Sequence, residues 1–340
     1  MIQLEKLLQQ QKEIVAAIEV EITKQREAAS KGHADAQLKL GLIYEHGRGL
    51  AQNYGEAVRC YKQAAEQGID EAQFRLGWLF EQGLGMTADF DQALAWYQLS
   101  AAQCHASAQC ALGRMYENGR GTKQDFTEAM RCYKLAASEK HTEAYYRLGT
   151  VFENHHGVEQ DYFVAVDWYK LAAAAGHNLS YCNLGRIYAN GLGVKRDFDQ
   201  AMRWYREPAV KGYALAQLNM GVIYEHGDGV PEDYLEALRW YKLAAGQGFS
   251  GAQFKMGFMY TSGKGVQCNY PEALRWFKLA AEQGDATALC HIGFMYEHGQ
   301  GVEEDDARAL IYYNKAARRD DVYATKNKEI IEARMAALPQ

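Results

Sequence analysis

Three groupings of side chains in this sequence have types and spacings that could do chemistry. Acidic residues three apart, such as Asp125 with Glu128 and Asp233 with Glu236, could supply a general acid and base. His155 and His156 are adjacent, and His46, His226 and His298 stand elsewhere, so a metal site is conceivable. Gly-x-Gly triplets such as Gly47 with Gly49 could cradle a phosphate. Each reading weakens once the rest of the chain is considered. The acidic pairs recur along the chain at helix starts, where they cap. The separate histidines lie too far apart to share an ion, and no Cys-x-x-Cys or His-x-x-x-His supplies further ligands. The glycine triplets follow helices, whereas a phosphate cradle needs a preceding strand. A hydrolase would need a nucleophile beside a base, and no non-repeating cluster of Ser, His and Asp stands out. No catalytic residue, metal or cofactor is therefore expected.

What positions these residues is a repeat. Units begin at Ala36, Ala72, Ala108, Ala144, Ser180, Ala216, Ala252 and Ala288, each 36 residues after the last without a gap. Numbered from that residue, position 5 is Leu, Met or Ile, position 6 is Gly in all eight, and position 9 is Tyr or Phe. With positions 1 and 8 they form the i, i+4, i+7, i+8 stripe of a helix buried on one face. Glycine inside a helix is unfavourable by about 1 kcal/mol relative to alanine. Its eightfold recurrence implies a close helix-helix approach.

Glycines at positions 12 and 14 predict a tight left-handed turn in every unit but the fourth, which reads His155-His156-Gly157. Asp or Asn at position 18, with Glu or Gln at position 21 in six units, predicts a capped second helix with a reciprocal capping contact. Its apolar stripe is aromatic at 26 and in most units at 19 and 25, with Ala at 22 and 30 and in most units at 29. Position 33, Gly in five units, ends it. Pro208 predicts a kink or an early end in the fifth unit.

The pattern Ala-x-x-x-Leu-Gly-x-x-Tyr-x-x-Gly-x-Gly-Val, then Asp, Ala, Trp-Tyr, Ala-Ala and Gly, resembles the Sel-one-like repeat, a relative of the tetratricopeptide repeat. The unit from Ala216 to Gly251 matches almost every position. The resemblance implies an all-α right-handed superhelical solenoid, with residues 1–35 as a long helix and half-repeat cap. Residues 36–323 hold the eight repeats (36–71, 72–107, 108–143, 144–179, 180–215, 216–251, 252–287, 288–323), and 324–340 form a capping helix. It also implies a non-enzymatic adaptor or scaffold. An immunity protein that neutralises one toxin is a narrower form of that role, and a solenoid binding a small molecule or glycan is an alternative of another class.

A protein or peptide partner would meet the concave surface. At about 100° per residue, positions 3, 7 and 10 fall opposite the core stripe and should line it. Position 7 has no common residue type and includes Trp78, Arg114, Arg186, Phe258 and Phe294. Position 4 adds Arg75, Arg147, Asn183, Asn219, Lys255 and His291, and position 3 adds Phe74 and Tyr146. Arginine and aromatics are the types that dominate binding hot spots.

The net charge is −6 with no run of lysine or arginine, so nucleic acid is not an expected partner. No apolar stretch is long enough for membrane insertion. Seven cysteines, with equivalent copies too far apart to pair, predict free thiols and a cytoplasmic location. The first helix should run from about Ile2 to Ser30, and its apolar residues Leu4, Leu8 and Val15 suit self-association.

Overall fold

The computed structural model describes the backbone of residues 2–336 and the side chains of residues 9, 11, 13, 14 and 16–336. Those residues are all-α, with no strand among them. The chain forms two compact units, residues 1–177 and 178–340. The first unit holds α1 (Ile2–Ser30), α2 (Ala34–His46), α3 (Tyr54–Glu66), α4 (Asp70–Gln82), α5 (Phe90–Ala102), α6 (Ala106–Asn118), α7 (Phe126–Ser138), α8 (Thr142–Glu153) and α9 (Tyr162–Ala174). The second holds α10 (Asn178–Asn190), α11 (Phe198–Val210), α12 (Ala214–His226), α13 (Tyr234–Gly246), α14 (Ser250–Ser262), α15 (Tyr270–Glu282), α16 (Ala286–Glu297), α17 (Asp306–Ala317) and α18 (Val322–Ala336). Within each unit a helix packs chiefly on the helices before and after it in the chain, the organisation of a repeat solenoid. The even-numbered helices α2 to α16 are the first helices of the repeats, and the odd-numbered α3 to α17 are the second.

The helical glycine explains the register. A Cβ on Gly41 would lie 2.5 Å from Cε1 of Tyr61, and one on Gly149 would lie 2.5 Å from Cε1 of Tyr169. In every repeat the ring at position 26 of the second helix sits on the bare backbone at position 6 of the first, Phe277 on Gly257 included. All of these rings but Tyr205 are among the largest fully buried side chains described. The intrinsic penalty of glycine is thus offset by the burial of an aromatic ring, which is worth about 25 cal/mol per Å² of apolar surface.

The caps follow the expectation on one side only. Asn53, Asp89, Asp125, Asp161, Asp197, Asp233, Asn269 and Asp305 each accept from the backbone N–H three residues on. The reciprocal contact is replaced, because the cap's own N–H donates to the carbonyl at position 9, as Asp125 does to Tyr116. The glutamate at position 21 instead faces a cation three residues on, as in Arg131 with Glu128 and Arg239 with Glu236. Positive φ marks the stop at position 33, in Gly68 (90°) and also in Cys104, Lys140 and Asp320 (58–64°). The fourth-unit turn keeps the same backbone, with His155 at φ 60°. Helix α11 does not end early at Pro208 and reaches 13 residues, the length of most of its counterparts. Pro208 lies near its C-terminus, where few turns remain to be disrupted.

Helix α1 spans 29 residues, more than twice the length of the repeat helices. The apolar residues Leu4, Leu8 and Val15 lie outside the residues with described side chains. Further along, Ile22 is buried while Ile18 and Val20 are exposed. All seven cysteines are free, five of them buried. No described helix is long and apolar enough to cross a membrane.

Candidate partner-binding face

The residues expected to meet a partner stand on the first helices of the repeats. Phe74, Arg75 and Trp78 are on α4, Arg114 on α6, Tyr146 and Arg147 on α8, Asn183 and Arg186 on α10. Asn219 is on α12, Lys255 and Phe258 on α14, His291 and Phe294 on α16. Phe294 is exposed and the other twelve are half-buried. Within each unit these side chains form a row that contributes partly to packing and partly to the surface.

Position 10 departs from the expected outward orientation. Glu45, Glu81, Glu117, Glu153 and Glu225 are buried, and each accepts a hydrogen bond from the tyrosine hydroxyl at position 26 of its own repeat. Tyr97 reaches Glu81 at 2.8 Å and Tyr133 reaches Glu117 at 2.6 Å. Tyr313 and Glu297 repeat the contact at 2.7 Å. A helical wheel cannot foresee this. The tyrosine's ring is committed to the helical glycine, and its hydroxyl emerges beneath the first helix, where a buried donor needs an acceptor.

A cation from the next repeat faces several of these buried carboxylates. Arg75 Nη1 lies 3.1 Å from Glu45, Arg114 Nη2 lies 3.2 Å from Glu81, and Lys255 Nζ lies 2.8 Å from Glu225. Arg147 approaches Glu117 at 3.9 Å, and Arg334 of the terminal helix closes the series on Glu297 at 2.9 Å. Arg114 acts from position 7 because position 4 of its repeat is Ala111. Where the carboxylate is missing, so is the cation. Ala189 precedes Asn219, and Thr261, in the repeat with Phe277, precedes His291. Four of the cations assigned to a partner thus also neutralise an interior charge. For Glu225 desolvation pushes the pKa up, but hydrogen bonds from Lys255 and Tyr241 outweigh it and hold the carboxyl below its ordinary value.

A second motif lies outside the sequence reading. Glu71 accepts from Arg75 Nε at 2.6 Å and lies 2.9 Å from His105 Nε2, and Glu143 repeats this with Arg147 at 2.7 Å and His177 at 3.3 Å. The His105 hydrogen bond, then the Arg75 pairing, lowers the Glu71 pKa against desolvation. Phe74 stacks on His105, and Tyr146 lies against His177. Between these two groups Ser107 Oγ stands 3.3 Å from His141 Nε2, beside a hollow of about 220 Å³ that Cys110 and Arg114 also line. The signal was a spacing, since all three pairs are 34 residues apart. A serine beside a histidine could begin a nucleophile-base pair. Here His141 Nδ1 is buried without a partner, so no carboxylate orients the ring. Desolvation lowers the His141 pKa, and burial pushes the Cys110 thiol up to about 12. The pair joins the start of α6 to the residue preceding α8. Among the described residues no cluster of His, Cys, Asp and Glu could hold a metal ion.

The Sel1 repeat profile matches residues 34–69, 70–103, 106–141, 142–177, 179–207, 214–249, 250–285 and 286–321. A Sel1 repeat protein from Oxalobacter formigenes is 29% identical over 94% of this chain and 93% of that chain, with a TM-score of 0.72. A protective antigen of uropathogenic Escherichia coli displaying an SLR fold is 27% identical over 91% of this chain and 82% of that chain, with a TM-score of 0.51. An immunity protein from Pseudomonas aeruginosa is 19% identical over 63% of this chain and 81% of that chain, and its TM-score of 0.43 carries no argument. No curated protein matches the chain. The glycine, the ring seated on it and the capped second helix recur in eight copies that the profile follows from residue 34 to residue 321, and this chain belongs to the Sel1 repeat family.

Proposed function

We propose that the chain is a non-enzymatic scaffold that grips a protein or peptide with the first-helix row at positions 3, 4 and 7. Sel1 repeat proteins are generally protein-interaction scaffolds. The observation that carries the location is the contrast between positions. Positions 1, 6 and 26 repeat because the fold needs them, while position 7 changes from Trp78 to Arg114 to Phe258 to Phe294 at half-buried or exposed sites. A side chain that packing does not dictate is available to a ligand, and large aromatics there suit hot spots. Arg114 and the cations at position 4 serve the interior as well, and Trp78 packs against the core around Leu76 and Tyr97, so Phe258 and Phe294 are the residues whose loss reports binding most cleanly. The free cysteines support work in a reducing compartment such as the cytoplasm, and the long α1 supports self-association as a secondary property.

Photo-crosslinking tests the location. A benzoylphenylalanine replacing Trp78 or Phe258 is expected to trap the partner, and one replacing the exposed Leu135 or Leu243 of the second helices is not. Trapping only from the second helices would move the site to the other face.

A further inference from the structure

We propose that the last repeat carries a separate docking groove for an acidic, leucine-bearing segment of a partner protein, lying between α15 and α17 with α16 as its floor. A hollow of about 730 Å³ is lined there by Lys278, Glu282, Leu289, Tyr312, Lys315 and Arg318, with Ala281, Ile292 and Arg319 completing it. Its floor is apolar, since Leu289 and Ile292 are buried. Its rim is basic, with four exposed cations against one carboxylate, Glu282. None of the four forms an ion pair among the described residues. Lys315 Nζ stands 5.5 Å over the Tyr312 ring, and Arg319 Nη1 donates to the Lys315 carbonyl at 3.2 Å.

Four of the other repeats act as an internal control, because a pair of glutamines bridges the corresponding groove there. In the seventh repeat Gln253 and Gln283 bond to each other at 2.7 Å, and Gln283 also donates to the Gly248 carbonyl at 2.7 Å. The same clasp joins Gln37 to Gln67, Gln73 to Gln103 and Gln217 to Gln247. In the eighth repeat the two positions are Leu289 and Arg319, so the clasp is lost. The tryptophan of the preceding repeat, Trp276, becomes the smaller Tyr312, and Leu279 becomes Lys315. Position 28 is Leu in five repeats and position 31 is never basic in the first seven, yet the eighth carries Lys315 and Arg318 there.

Charge selects the occupant. The chain as a whole is net negative, so an uncompensated group of cations is a local exception that attracts an acidic segment at long range. The cations are long exposed side chains with no fixed geometry for one compact anion, which suits carboxylates spread along a chain. The apolar floor and Tyr312 then take an aliphatic side chain between the acidic ones.

The test uses the full chain and a fluorescein-labelled dodecapeptide that alternates two glutamates with one leucine, read by fluorescence anisotropy. The comparison variant combines Leu289→Gln, Lys315→Leu, Arg318→Glu and Arg319→Gln, which restores the residues of the seventh repeat. The milder Lys315→Gln/Arg318→Gln pair guards against misfolding of the first. The peptide is expected to bind wild type at least tenfold tighter than either variant at low salt, with the difference shrinking as salt screens the rim. Equal affinity for wild type and both variants overturns the proposal. So does equally tight binding of an all-glutamate peptide, which would leave the apolar floor without a role, or full displacement by millimolar inorganic phosphate, which would make the groove a small-anion site. Crosslinking from Trp78 is expected to be unchanged in these variants, so the two sites are scored separately.

Discussion

Replacing Tyr241 with Phe isolates the buried carboxylate series. Phenylalanine fills the same space over Gly221, as Phe277 does over Gly257 in the repeat that lacks the carboxylate. The change therefore removes one donor to Glu225 and leaves Lys255 as the other. The Glu225 side chain is 4% exposed, so water does not readily replace the lost hydroxyl. A hydrogen bond to a charged, buried acceptor is worth about 1.5–3 kcal/mol, and that is the expected loss at pH 7. The pH dependence fixes the cause. Glu225 has its folded pKa below the ordinary value, so its stabilisation is fully present above the ordinary carboxylate range and is lost as pH falls through the lowered value. Removing the hydroxyl raises the folded pKa, and the penalty of Tyr241→Phe should shrink as the pH is lowered through the carboxylate range. Urea denaturation followed by circular dichroism at neutral and acidic pH measures it. The double variant Glu225→Thr/Tyr241→Phe reproduces the Thr261 and Phe277 pair, and should lose less than the sum of the single changes by about 0.5 kcal/mol or more. A loss that is independent of pH, or strict additivity, would refute the reasoning and leave only a packing role for the ring.

Gly149→Ala should destabilise by about 1–3 kcal/mol, because the new methyl would press on Tyr169. Gly246→Ala, at a helical glycine with nothing within 4 Å, should instead raise the melting temperature slightly, by at most about 1 kcal/mol of stability. Asp125→Ala removes the acceptor for the Thr127 and Glu128 amides and should lower stability by about 1 kcal/mol in thermal melts. Ellman titration should find Cys104 and Cys268 reactive in the native protein. Cys60, Cys110, Cys132, Cys182 and Cys290, buried with thiols pushed up to about 11 or 12, should react only on unfolding.

The residues whose identity repeats are the ones legible from sequence. The glycine at position 6, the cap at position 18 and the stop at position 33 each have one physical reason, set by local backbone geometry or one close contact. The structure supplies the reason for the glycine directly, in the ring that would meet a Cβ. The glutamate at position 10 repeats too, yet its orientation is not legible in the same way. A helical wheel sees one helix, and the hydroxyl that draws Glu81 inward belongs to Tyr97, 16 residues away on the second helix. The cation that balances it, Arg114, lies 33 residues away in the next repeat. Likewise the pairing of Glu71 with His105 crosses a repeat boundary, so periodicity within one unit could not reveal it. The candidate face is therefore identified by residue type and position, while the division of its cations between partner and interior depends on contacts between repeats.

The most direct test of the scaffold account measures the affinity of the captured partner for wild type, for Phe258→Ala/Phe294→Ala, and for Leu135→Ala/Leu243→Ala on the second helices. Hot-spot aromatics contribute about 2 kcal/mol or more, roughly thirtyfold in dissociation constant. The account predicts at least that loss for the first pair and less than about twofold for the second, with both variants still helical. Undiminished affinity in Phe258→Ala/Phe294→Ala, or a larger loss from the leucine pair, would contradict it.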